Sequence, residues 1–161
     1  PLNPAGPGWS PYAATSTFAG NTALVSPELL LQDGLLEPSD LADMPQLSPF
    51  KVEFERVVPF KGTLLQRAFQ RFSRKPPAKV ESAFATFKEE CVWWLSDYSA
   101  FAALKRAHHG ASWHDWPEDL SLHRPGPLAT WAGRHPRVLL VEDFCRFLCF
   151  SQWRGLRAHA R

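Results

Sequence analysis

Four groups of residues carry side chains whose type and spacing could do chemistry. His108, His109, His114 and Asp115 offer imidazole and carboxylate ligands to a divalent metal. No H-E-x-x-H and no paired C-x-x-C accompanies them, so they read as polar loop residues and no metal site is expected. Cys145 and Cys149 stand four apart, on one face of a helix. That spacing is poor for a disulfide, and thiolate ligation of a metal lacks a second pair. Reduced, buried thiols are the expectation, as suits a cytosolic or plastid-stromal setting. Glu89, Glu90 and Asp97 are carboxylates that could act as acid and base, but on a helix they read as solvent-facing or ion-paired. The fourth group is Trp113-His114-Asp115-Trp116-Pro117-Glu118. Aromatic faces stack on the apolar faces of sugars and bases, and neighbouring acids bind hydroxyls. The same tryptophans also serve as a plug over a helical core, which composition alone favours. The chain has no G-x-G-x-x-G, no P-loop and no G-x-S-x-G, so no cofactor is expected.

These groups must be held by elements that the pattern of apolar residues outlines. Residues 1–22 are rich in Pro, Gly, Ser, Thr and Asn and read as a long irregular loop of the kind that carries function. Ala23-Leu24-Val25 reads as a short extended run. Ser26-Pro27-Glu28 opens a helix that stops at Asp33-Gly34, and Glu37-Pro38-Ser39-Asp40-Leu41 starts another short one. Residues 45–60, with Val52, Phe54, Val57 and Val58 between prolines, predict an extended stretch. Lys61 to Phe72 is an amphipathic helix. From Lys79 to Ala107, Phe84, Phe87, Cys91, Trp94, Tyr98 and Phe101 follow steps of three and four, which predicts one long helix ended by His108-His109-Gly110. Residues 111–136 are loop-rich. Arg134 onward is helical, with Val138–Val141 as an alternative strand.

The bulk numbers narrow the class. The chain has 161 residues, 45% hydrophobic and 21% charged, with 15 Pro, 12 Phe and 7 Trp. No apolar run approaches the roughly 18 residues of a membrane span. The net charge of +2 asks for no nucleic-acid partner. Residues 1–55 hold seven acids and one base, and the rest 17 bases and nine acids, so solvated helix faces are expected to meet an acidic strand-and-loop segment.

Four stretches in order resemble the 4-α-glucanotransferases (amylomaltase or disproportionating enzyme, glycoside hydrolase family 77). Ser10-Pro11-Tyr12 with Phe18-Ala19-Gly20-Asn21, Leu24-Val25 and Glu28-Leu29-Leu30 looks like the family's loop after the first barrel strand. Val57-Val58-Pro59-Phe60-Lys61 leads to Leu64-Leu65-Gln66-Arg67-Ala68-Phe69. Phe84 to Phe87 and Trp93 to Phe101 precede Trp113 to Pro117. Phe147-Leu148-Cys149-Phe150-Ser151-Gln152-Trp153 is similar to the family's Phe-x-Phe-x-Gln-Trp helix.

The resemblance implies a mostly α-helical chain that is part of a (β/α)8-barrel enzyme of roughly 500 residues with a helical insertion. Residues 1–26 would form the active-site loop, 27–133 the insertion subdomain and 134–161 a barrel-associated helix. It implies retaining transfer of α-1,4-glucan segments between maltodextrins, through an Asp nucleophile, a Glu acid/base and a second Asp. The motifs for those three lie C-terminal of this sequence, so no catalytic residue is assigned and the isolated chain is expected to be inactive. Tyr12, Ser10 and Trp9 are the candidate substrate-binding residues. Tyr12 would cover a glucose face on a backbone fixed by Pro11, and Asn21 would brace the loop through its side chain. Trp9 and Pro136 depart from the family pattern. The expected partners are α-1,4-glucans, with no nucleic acid and no membrane. Thr22 and the following Leu-Val-Ser run suggest a plastid of an alga or plant, with a bacterial cytoplasm as the alternative. A non-catalytic glucan-binding or helical interaction module is the alternative function.

Overall fold

The computed structural model describes residues 2–6 and 9–160; Pro1, Pro7, Gly8 and Arg161 lie outside the described residues. Every regular element described is helical. Helix α1 (Pro27–Gln32) forms as its sequence predicts: Ser26 Oγ accepts the Leu29 amide, Pro27 takes the first helical position, and the chain turns out at Gly34 with φ +71°. Pro38–Leu41 is a 3-10 turn. Thr22–Leu24 is also a 3-10 turn, so the extended run expected at 23–25 is not a strand. Three apolar residues in a row carry no period that separates the two.

Helix α2 spans Phe54–Arg74, which corrects the extended reading of 54–60. Pro59 lies in its second turn. There its missing N–H costs only one ladder bond, while Phe60, Leu64, Leu65, Ala68, Phe69 and Phe72 carry one helical face into the core. The single helix expected over 79–107 is two: α3 (Ala78–Glu90) and α4 (Val92–Ala107). Cys91, at φ −106° and ψ 6°, serves both. Its amide donates to Phe87 O, and its carbonyl accepts from Trp94 and Leu95. The apolar phase runs through the joint, so the periodicity hides it. After α4 both His109, at φ +53°, and Gly110, at φ +81°, take the left-handed region, and their amides donate to Arg106 O and Lys105 O to close the helix end. The stretch read as loop-rich contains a 3-10 turn at Trp113–Asp115, α5 (Glu118–Ser121) and α6 (Pro125–Arg134). Helix α7 (Pro136–His159) begins with Pro136 in the first turn and rules out the alternative strand at 138–141.

The core is an aromatic cluster around α7. The Phe144 ring is fully buried. It stacks on Phe72 at 4.6 Å and meets Phe84 and Phe69 edge-on at 5.5 and 5.7 Å. Phe87 packs on Phe147 and Phe150, and Trp94 closes that end. Much of the Phe surplus is thus consumed within the chain, while Phe18, Phe50, Trp93, Trp113 and Trp153 keep exposed rings. The acidic N-terminal part meets α2 through turns, not the strand expected of it. Buried Asp40 pairs with Arg71 and Arg67 of α2, and Glu37 reaches Arg71 at 3.1 Å. Burial pushes the Asp40 carboxyl up. The Glu37 amide and the Arg71 guanidinium outweigh it, and the net pKa is lowered.

Candidate substrate-facing loop

The described residues between Leu2 and Ser26 form a loop closed on itself by backbone bonds. Asn21 N donates to Leu2 O at 2.7 Å, and Thr15 N to Pro4 O at 3.3 Å. Asn3 Nδ2 donates to Ser16 O, and Ser16 Oγ accepts the amides of Phe18 and Ala19. Asn21 Oδ1 accepts the Ala23 amide at 3.0 Å, the bracing role expected of it.

At the tip, Ser10 Oγ accepts the Tyr12 amide at 3.3 Å and caps the 3-10 turn Pro11–Ala13. Ser10 therefore shapes the turn first of all. Tyr12 stands on that turn with 91% of its surface exposed. A tyrosine ring held out in this way has an unoccupied face for a flat apolar surface such as one side of a pyranose. Trp9 takes the left-handed region at φ 62°, rare for a bulky residue, and lays its ring on Phe54 at 5.5 Å and 13°. One face of the indole is covered by α2, and the residue stays 38% exposed. Phe54, at the N-terminus of α2, thus belongs to the tip. The extended reading of 45–60 obscured it, although an aromatic residue opening a helical period was the available signal.

The loop's C-terminal stem is fixed by side chains from two helices. Arg146 Nη1 donates to Gly20 O at 2.8 Å, and Cys149 Sγ to Asn21 O at 3.5 Å. Gln152 accepts the Ser26 amide at 2.7 Å and donates to its carbonyl at 3.1 Å. Lys61 Nζ of α2 donates to Ala23 O at 2.6 Å and Val25 O at 3.0 Å. Burial draws the Lys61 pKa down, and Glu28 partly restores it. Beside this stem lies an apolar groove of about 430 Å3, lined by Phe18, Leu24, Leu29, Phe150, Trp153 and Leu156 among others.

The other chemistry-bearing groups settle elsewhere. Trp116 is buried as a plug, stacked on His108 at 5.6 Å and near Phe101 at 5.7 Å. Trp113 is 45% exposed and stacks on His114 at 3.6 Å, at the rim of a second groove beyond the C-terminal half of α4. Among the described residues no three metal-ligating side chains converge. Glu89, Glu90 and Asp97 are exposed, and Glu90 pairs with Arg154 at 2.7 Å. Cys91, Cys145 and Cys149 are all free and buried. Burial raises the pKa of each, with Cys145 pushed up to about 12.

A family model described as 4-alpha-glucanotransferase, glycoside hydrolase family 77, matches residues 1–161. The chain belongs to the 4-alpha-glucanotransferase family. A 4-alpha-glucanotransferase of Synechocystis sp. is 36% identical over 160 residues, 99% of this chain and 32% of that one. One from Thermus thermophilus is 34% identical, over 99% of this chain and 31% of that one. A chloroplastic/amyloplastic 4-alpha-glucanotransferase of Oryza sativa is 30% identical over 94% of this chain and 25% of its own length. The fold matches an amylomaltase from Streptococcus agalactiae in complex with acarbose, with a TM-score of 0.89, 23% identity and coverage of 99% of this chain and 32% of that one. The chain spans a quarter to a third of the length of these 4-alpha-glucanotransferases, and its all-helical fold corresponds to about a third of a TIM-barrel enzyme. The relatives include bacterial, cyanobacterial and plastid enzymes. Among the described residues no helix is long and apolar enough to cross a membrane.

Proposed function

We propose that this chain contributes the substrate-facing loop and helical part of an enzyme that transfers α-1,4-glucan segments between maltodextrins by a retaining double displacement. In such a reaction a carboxylate displaces the leaving 4-hydroxyl from the anomeric carbon. A second glucan's 4-hydroxyl then displaces the carboxylate, restoring the original configuration. The catalytic carboxylates lie outside these residues, and no cofactor or metal takes part. Residues 1–26 serve as the active-site loop, 27–133 as the helical insertion and 134–161 as a barrel-associated helix. The setting is a plastid stroma or a bacterial cytoplasm.

The observation that carries this reading is the family match along the whole chain, with the Ser-Pro-Tyr tip projecting Tyr12. Trp9 widens the aromatic surface at the tip, and Ser10 sets the turn that aims Tyr12. The test uses maltotriose. The full-length enzyme carrying these residues should release glucose and longer maltodextrins, and the purified 161-residue chain should release neither. Turnover by the isolated chain would overturn the assignment of the chemistry to residues outside it. Loss of less than about threefold in kcat/KM for Tyr12→Ala in the full-length enzyme would remove Tyr12 from the binding surface.

A further inference from the structure

Seven consecutive residues, Gly20–Ser26, have most of their backbone polar groups engaged, although among the described residues no strand pairs with them. The local bonds are Asn21 Oδ1 to the Ala23 amide, Asn21 O to the Leu24 amide and Thr22 O to the Val25 amide. Asn21 N is met by Leu2 O, and several further groups are met by side chains from far along the chain. Arg146, Cys149 and Gln152, spaced by three on α7, reach Gly20 O, Asn21 O and both polar groups of Ser26. Lys61 of α2 approaches from the other side and takes Ala23 O and Val25 O.

Arg146 is the costly member of this set. Its side chain is 9% exposed, and its Nε has no partner. A buried guanidinium loses much of its hydration, so apolar residues of similar volume in place of the whole Arg146–Glu142 pair would often serve stability as well or better. The group is nonetheless locked in one orientation. Glu142 Oε2 holds Nη2 at 3.2 Å, the Tyr98 ring lies 4.9 Å from Cζ, and Nη1 points at Gly20 O. Glu142, itself only 1% exposed, is held in turn by Arg106. The ion pair therefore aims one charged donor at one carbonyl. The next amide, Asn21 N, is bonded to Leu2 O, so the carbonyl that Arg146 fixes lies where the two ends of the Tyr12 loop meet.

We propose that Arg146, acting with Cys149, Gln152 and Lys61, is a positioning residue that clamps the stem of the Tyr12 loop and so sets where that ring stands against a bound glucan. The proposal rests on the reading of Tyr12 as a substrate-facing residue. Arg146 touches no substrate. It acts through Gly20 and the closed loop, and a ring displaced by about 1 Å can cost up to 100-fold in rate.

The experiment is a kinetic cycle in the full-length enzyme with maltotriose, using Tyr12→Ala, Arg146→Met and the double variant, each normalised to folded enzyme. The expected result is a rise in KM and a fall in kcat/KM of about tenfold for Arg146→Met, partial recovery in Arg146→Lys, and little further loss when Tyr12 is already Ala. An unchanged KM with only less folded enzyme marks Arg146 as merely structural and overturns the proposal. So does full additivity with Tyr12→Ala. If Tyr12→Ala itself has no effect, the substrate-facing reading fails and this inference fails with it. Should Arg146→Met not fold, the neutral pair Glu142→Gln/Arg146→Met removes the same donor without stranding a charge, and the same criteria apply. Arg154→Met, on the same helix but paired only with exposed Glu90, is the control and should leave KM unchanged.

Discussion

Gly20 lies so close to α7 that a single added carbon tests the packing of the loop stem. A Cβ at Gly20 would overlap Cys149 Sγ and stand 3.2 Å from Cys149 Cβ. Gly20 is itself buried, and its carbonyl holds the Arg146 guanidinium. Gly20→Ala must therefore push the stem off the helix or drive Cys149 from its place. Overpacking of this kind costs about 1–3 kcal/mol, and weakening a charged hydrogen bond adds about 1 kcal/mol. Cys149→Ala alone removes one heavy atom from a buried site and should cost about 1 kcal/mol. In the double variant the new methyl occupies the space that the sulfur leaves. The remaining Cβ–Cβ approach of 3.2 Å needs an adjustment of only a few tenths of an ångström. The double variant should thus lose about 1 kcal/mol, where independent effects would sum to about 3–5 kcal/mol. Urea denaturation of the four proteins, with m held common, measures the coupling. Additive losses, or a double variant worse than Gly20→Ala, would refute the close packing of Gly20 on Cys149.

Three further outcomes follow from the buried polar groups. Asp143 is hydrogen-bonded to Ser99 at 2.6 Å, and its carboxyl is pushed above its usual 3.8, by burial first. A raised folded-state pKa means that its contribution is complete below about pH 3.8 and is lost as pH rises through the folded value. Relative to wild type, Asp143→Asn should therefore gain stability between about pH 3.8 and neutrality; a difference that does not change over that range on chemical denaturation would be the contrary result. Glu142→Ala strands Arg146 as an unpaired buried cation and should cost about 3–5 kcal/mol, whereas Glu90→Ala breaks an exposed pair with Arg154 and should cost less than about 1 kcal/mol; equal effects would contradict the burial difference. The three buried thiols should resist Ellman's reagent at pH 8 in the native chain and react once it is unfolded, and a fast native phase would place a thiolate at the surface.

What was legible in the sequence was what local chemistry decides. Ser26-Pro27-Glu28 is a cap signal within four residues, and α1 starts there. The His108-His109-Gly110 stop signal ends α4, with His109 and Gly110 both in the left-handed region. The Ser-Pro-Tyr tip could be read as a motif, and Asn21 braces its loop through an amide two residues away. The misreadings share a cause as well. Pro59 is a breaker in the helix interior but is tolerated in an early turn, so α2 begins seven residues before the predicted Lys61. Cys91 kinks the chain without Gly or Pro and without changing the apolar phase, so no residue announces the joint. Arg146 meets Gly20 across 126 positions, and Gln152 meets Ser26 across the same separation. Neither bond has a local pattern, because each is chosen by packing of helices that the sequence places only in order.

The burial profile of α7 explains why one helix holds both the core and the loop stem. Positions 141, 142 and 144–149 are buried, so this stretch is enclosed nearly all round. An enclosed helix is ordinarily apolar all round, but here two of the buried positions are Glu142 and Arg146. They are four apart and pair with one another, with Arg106 as a second partner of Glu142, which lets them stand on a face where a lone charge would be expelled. Phe144 and Phe147 point into the aromatic core, while Arg146 and Cys149, each two residues further on and so turned by about 200°, point to the loop. The helix is wedged between the two. A change that loosens the aromatic face, such as Phe144→Ala, should therefore carry through the helix to the Gly20 contact, although the Phe144 ring packs on Phe69, Phe72 and Phe84.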